Sequence, residues 1–188
     1  RLPMVRSQRP NEAAIVAAGL YHDAGWITRF REGTVDRMEV LIGSLSEADH
    51  DQGALLMEQS LADLLAKESL DLAARAIRGA RNRGTELIEA QVVAEADNLQ
   101  EFGVVSLWPA IRRGAVDGKG VQAVLDTWRR KKEYQFWTAR LNDSFRFEPV
   151  RELARQRLEK FERLLGELEE QHSGVDVAAL LSPRREDP

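Results

Sequence analysis

The sequence predicts an all-α protein, a single compact domain of six to eight helices. Apolar residues recur at three- and four-residue spacing along most of the chain. Ser, Asn and Pro stand where helix starts require them. No Val-, Ile- and Thr-rich alternation is present that would build a sheet. With 188 residues the chain is long enough for one well-buried domain. Its 43% hydrophobic and 31% charged residues describe a globular protein. A net charge of -4 gives no general attraction for nucleic acid or an anionic membrane. The absence of cysteine excludes a disulfide framework and a thiolate metal site, and suits a reducing compartment. No apolar run approaches the roughly 18 residues that cross a bilayer, and the N-terminus lacks the apolar core of a signal peptide. The expected location is the cytoplasm.

Residues 1–10, with Pro3 and Pro10, read as an extended lead-in. Asn11 can cap a helix that runs through the apolar stretch from Ala13 and is stopped by Gly25. That helix ends on His22 and Asp23. Seven and four residues before His22 lie Ile15 and Ala18, so the imidazole shares their face, while Asp23 follows Val16, Gly19 and Leu20. Both faces being apolar, the helix is expected to be covered all round. An ionised carboxylate in such a place costs on the order of several kcal/mol unless it is paired or bound to a metal. One reading is a core histidine beside an aspartate that bonds backbone amides. The other is a pair of ligands.

Residues 26–33 read as a loop that carries aromatics and two arginines, Arg29 and Arg31. Ser46 caps the next helix, with acidic residues in its first turn, and His50 is in register with Ala54, Met57, Leu61 and Leu64. From Ser69 to Arg83 a further helix turns Leu70, Ala73, Ala74 and Ile77 inward. After Gly84 and Thr85 comes a helix from about Glu86, with its main stripe at Ile88, Val92, Ala96 and Leu99. Asp97 follows Ala90 and Val93 along the shoulder of that stripe, and Pro109 is expected to end or kink the run. Beyond the turn at Gly114–Gly120 one helix is expected from Val121 to about Leu141, its Arg129-Arg-Lys-Lys132 cluster being a solvated face. Pro149 suits the first turn of a last helix, where Val150, Ala154, Phe161, Leu165 and Leu168 form a seam that could close the domain or join two chains as a homodimer. The domain is drawn at 1–172, with 173–188 a flexible tail.

Two stretches, Leu20-Tyr-His-Asp-Ala-Gly25 and Ala96-Asp97-Asn98-Leu99 followed by Gly103, resemble the HD superfamily of metal-dependent phosphohydrolases. The likeness covers roughly residues 12–165, and its specific motifs are these two. It implies the helical fold of the HD domain, with His22, Asp23 and Asp97 as ligands of one divalent ion (Mn, Fe, Co, Ni or Mg) and Asp23 within the catalytic group. It also implies hydrolysis of a small phosphorylated substrate, nucleotides being one such class, with no nucleic acid and no membrane as partner. Arg29 and Arg31 would then offer cations to the phosphate. His50 is the candidate among the family's additional histidines, which hold a second metal in some members. The family's first ligand, a histidine about one helix-length before the His-Asp pair, has no counterpart before His22, so it either precedes Arg1 or has been lost. Where many members carry a carboxylate just after the pair, Gly25, Trp26 and Ile27 stand here, and no general acid is assigned. The alternative is a degenerate HD-fold domain that binds a nucleotide or a protein. In either case two carboxylates facing one pocket without metal would repel, and loss of Asp97 would leave the metal-free protein at least as stable.

Overall fold

The computed structural model describes residues 2–181, without the side chains of residues 37, 41, 42 and 179. Every regular element among them is helical, and none of these helices is long and apolar enough to cross a membrane. The contacts divide the chain into two compact units: residues 1–99 with 144–150, and residues 100–143 with 151–188.

In the first unit the expected lead-in contains a short helix, α1 (Pro3–Arg6), which starts on Pro3 because proline needs no amide partner in a first turn. Its Val5 is buried with Ile88 and Phe147. Asn11 caps α2 (Glu12–Tyr21) by accepting from the Ala14 amide at 2.9 Å. The expected loop at 26–33 is mostly helical, α3 (Gly25–Arg31), and is followed by α4 (Arg37–Ile42). Gly25 does not end a helix. A Cβ there would stand 2.1 Å from the Asp49 carbonyl oxygen, and one on Gly53 would stand 2.8 Å from that of Tyr21. The pair lets α3 and the end of α2 press directly on α5 (Glu47–Leu61), an approach no other residue permits. Helix α5 begins with a capping box in which the Ser46 hydroxyl and the Asp49 carboxylate each bond the other residue's backbone N–H.

Helix α6 (Lys67–Gly79) buries Ala73, Ala74, Ala76 and Ile77 against Ala14, Ala17 and Ala18 of α2 and Met57 of α5. The small side chains let three helices share one core. Helix α7 (Ile88–Gln100) turns Ala90 and Val93 into it and also buries Ala94. Of the expected main stripe Ile88 is buried and Val92 packs beside it in the cluster with Val5 and Phe147, while Ala96 is exposed; the shoulder named from the sequence, Ala90 and Val93, faces the larger core. The same helix buries two carboxylates as backbone acceptors. Glu89 takes the Asn11 amide at 2.8 Å, and Glu95 takes those of Arg146 at 2.7 Å and Phe147 at 3.4 Å.

In the second unit Gly103, at φ +92°, leads into a 3-10 turn (Val104–Ser106) and α8 (Leu107–Val116). Pro109 sits in the first turn of α8 rather than ending the preceding helix. The helix expected from Val121 to Leu141 is two, α9 (Val121–Glu133) and α10 (Phe136–Ser144), parted at Gln135 with φ +52°. At roughly 100° per residue Trp128 and Trp137 would fall on opposite sides of one continuous helix. The break brings their rings to 5.3 Å, and Trp128 to 5.0 Å from Phe161. Phe161, with Ala154 and Leu165, is buried on α11 (Glu148–Ser173) at the positions its seam foretold. The tail expected from residue 173 opens with α12 (Val175–Leu181), restarted through Gly174 at φ +74°. The rest of that tail lies outside the described residues.

Candidate functional site

The last turn of α2 is continued by His22, which extends the buried stripe of Ala14, Ala17 and Ala18, so its side chain is only 17% exposed. Its ring is held by Nδ1, which donates to the Gly19 carbonyl at 2.8 Å. That bond leaves Nε2 pointing away from the backbone. It faces Asp23 Oδ2 at 3.4 Å and Asp97 Oδ1 at 3.9 Å. Asp97 lies beyond hydrogen-bond distance and Asp23 at its long limit, and Nε2 is a buried nitrogen without a hydrogen-bond partner. Asp97 comes from the last turn of α7, a turn beyond Val93 and Ala94. The sequence-predicted trio of His22, Asp23 and Asp97 is thus brought together.

Its burial differs from expectation. Val16 and Leu20 are exposed, so α2 is uncovered on the side from which Asp23 projects. The side chains of Asp23 and Asp97 are 66% and 60% exposed. Neither carboxylate is forced to seek a metal by burial. The charges also act differently from two repelling aspartates. The Asp97 carboxylate, with a further contribution from Asp23, raises the His22 imidazole to about 9 against the opposing effect of burial. Asp97 is lowered below the ordinary carboxylate value, chiefly by His22. Without metal the three groups form an ion-paired cluster at neutral pH.

His50, in the first turn of α5, is buried (7% exposed) as its register with Ala54 and Met57 implied. Its Nδ1 donates to the His22 carbonyl at 3.2 Å, and its Nε2 is likewise buried without a partner. Burial, then the positive charge of Arg81, hold its pKa down, so the ring stays neutral. The Gly25 and Gly53 contacts described above are what let α5 bring His50 against the end of α2. Arg29 is occupied elsewhere. Its guanidinium lies over the Trp26 ring and contacts Glu39 at 3.1 Å and the buried Asp49 at 3.5 Å. Asp49 is pushed up first by burial, but the Ser46 amide and hydroxyl and the Arg29 charge outweigh this and hold it low. Arg31 is exposed at the end of α3.

One residue near the cluster had no part in the sequence-level assignment. Arg81, just past α6, donates from Nη1 to the Leu45 carbonyl at 2.6 Å, and its charge acts on both Asp97 and His50. From the sequence it is one of three arginines in Arg78-Gly-Ala-Arg-Asn-Arg83, and nothing in that pattern separates it from Arg78, which pairs with Asp51 at 2.8 Å.

Among the described residues no group of three or more His, Asp and Glu side chains is placed so that it could hold a metal ion. Taken two at a time, however, the donors are spaced as ligands of one ion would be. Two donors each roughly 2.1 Å from an ion lie about 3.0 Å apart at a right angle and about 4.2 Å apart in opposite positions. The separations of 3.4 and 3.9 Å from Nε2 fall in this range. A ring nitrogen fixed by a carbonyl bond on its other side is the usual arrangement of a histidine ligand. Comparison with protein-family models, curated proteins and solved structures finds no match to the chain.

Proposed function

We propose that His22, Asp23 and Asp97 hold a divalent ion (manganese, iron, cobalt, nickel or magnesium) and that the chain is an HD-type phosphohydrolase acting on a small phosphoester. The observation that carries this reading is Nε2 of His22, buried, without a hydrogen-bond partner, and flanked by two carboxylates while Nδ1 is tied to the backbone. A divalent ion held there supplies Lewis acidity and a bound water of lowered pKa. The residues of the chain supply orientation. Gly19 holds the His22 ring, the buried stripe of α2 fixes where that ring stands, and the two solvent-open aspartates leave the cluster accessible to a phosphorylated substrate. The unpartnered Nε2 of His50 is suited to be a further ligand or a substrate contact. A reducing cytoplasm suits a chain without cysteine.

The test is elemental analysis of protein incubated with manganese, iron or nickel and then desalted, together with hydrolysis of a generic phosphomonoester. About one ion per chain, lost in His22→Ala along with turnover, is the expected result. A parent protein that takes up none of these metals overturns the reading. One observation favours the alternative of a non-catalytic nucleotide- or protein-binding module. With His22 raised to about 9 the imidazolium itself neutralises the carboxylates at pH 7, and the cluster is complete without an ion. On that reading the protein stays metal-free and manganese leaves its melting temperature unchanged.

A further inference from the structure

The cation that the sequence nominated for phosphate, Arg29, is committed to Asp49, Glu39 and Trp26. Around the metal cluster the situation of Arg81 is different. Nη1 is spent on the Leu45 carbonyl, and among the described residues no carboxylate pairs with this side chain. A guanidinium has five N–H donors in a planar fork, so a single backbone bond steadies the group and leaves most of the fork unused. The anchor is well placed. Leu45 immediately precedes Ser46, the cap of α5, and the first turn of that helix carries His50, whose ring reaches the His22 carbonyl. The Arg78–Asp51 pair ties the end of α6 to the same turn of α5. Arg81 is exposed.

We infer that Arg81 is the phosphate-binding residue of this site, its unused N–H groups donating to the phosphoryl oxygens of a substrate held at His22, Asp23 and Asp97. This rests on the metal-site reading above. Two carboxylates beside a bound phosphoester present a surplus of negative charge. A fixed arginine that is not already paired with either carboxylate is the group that can offset it, and its planar fork matches two phosphoryl oxygens at once.

Inorganic phosphate, the product, is the probe, titrated calorimetrically into the manganese-loaded full chain. Arg81→Gln keeps a donor for the Leu45 carbonyl but removes the charge, and Arg81→Lys keeps the charge but not the fork. Phosphate affinity should fall at least about tenfold in Arg81→Gln and less in Arg81→Lys. The affinity for manganese alone should stay the same or tighten, because a nearby positive charge is gone. If Arg81 only braces Leu45, Arg81→Gln will bind phosphate as the parent does, and the inference falls while the metal site stands. If the parent takes up no manganese, the metal-site reading falls and this inference with it. Should Arg81→Gln fail to fold, Arg81→Lys decides, since a parent-like phosphate affinity together with a lowered melting temperature would assign the residue to bracing alone.

Discussion

His22 can meet Asp23 and Asp97 either as an imidazolium or through an ion, and the two states compete for one nitrogen. Its folded pKa of about 9 stands above the ordinary value of 6.5. The stabilisation from its protonation is therefore fully present below about pH 6.5 and is lost as the pH rises through 9. Asp97, lowered, contributes above its ordinary value of 3.8 and loses its contribution as acid protonates it. In chelator the melting temperature should fall between pH 7 and pH 10, and His22→Gln should abolish most of that fall. Metal binding runs the other way, because the ion must displace one proton. Manganese affinity should rise about tenfold per pH unit up to pH 9 and then level off. An affinity flat from pH 7 to pH 9 would mean that the ion does not bind at Nε2. The same pairing reverses the effect expected of Asp97→Asn from charge repulsion alone. The variant should lose up to about 1 kcal/mol in chelator, since the Asp97 side chain is itself 60% solvent-exposed, and should gain nothing when manganese is added. Thermal melts with and without the ion separate the two effects.

At the scale of elements, the crossing of α2 and α3 over α5 determines whether the site exists, and glycine determines the crossing. Gly25→Ala would drive a methyl group to 2.1 Å from the Asp49 carbonyl oxygen, and because that obstacle is backbone the helices must part. A loss of about 1–3 kcal/mol is expected, with weaker metal binding because His50 and His22 are held by the same contact. Gly19 lies on the exposed side of α2 with nothing within 4 Å of a Cβ. Gly19→Ala should therefore stabilise by about 0.5–1 kcal/mol. Urea denaturation of the two variants checks the contrast, and equal effects would remove the crossing as the cause. These helices were largely legible in the sequence. The caps at Asn11 and Ser46, the inward row of α6 and the seam of α11 follow from spacing alone. What was not legible was relational. Gly25 reads as a stop signal until its neighbour is known, and Gln135 carries no mark of the break that brings Trp128 against Trp137 and the distant Phe161. The site shows the same division. Motif and register foretold that His22, Asp23 and Asp97 would meet, whereas their exposure depended on α2 being uncovered on one side. The burial of the carboxylates Glu89 and Glu95 leaves no local mark, because their partners lie 78, 51 and 52 residues away.

That distance has a consequence for the whole molecule. The first unit, which holds the entire candidate site, is not a continuous piece of chain, since it takes residues 144–150 from beyond the 44 residues 100–143. The returning segment does two things there. Phe147 closes the small apolar cluster with Val5 and Ile88, and the amides of Arg146 and Phe147 satisfy the buried Glu95 carboxylate. The Arg146 guanidinium also bonds the Arg83 carbonyl at 2.7 Å, on the stretch that leads into α7. A fragment ending at residue 99 would carry every proposed metal ligand and yet leave Glu95 in place without the Arg146 and Phe147 amides. A buried carboxylate that loses two amide donors costs on the order of 1–3 kcal/mol, and the uncovered Ile88 and Val5 add further loss. Against a total stability of about 5–15 kcal/mol for a domain this is a large fraction. Fragment 1–99 should therefore melt well below the full chain, with a shallow transition, and should bind manganese weakly if at all. Glu95→Gln in that fragment should recover part of the stability, because the neutral amide is cheaper to leave unpaired, while the same change in the full chain should destabilise. A fragment that melts as sharply and as high as the full chain would show that residues 144–150 are dispensable to the site.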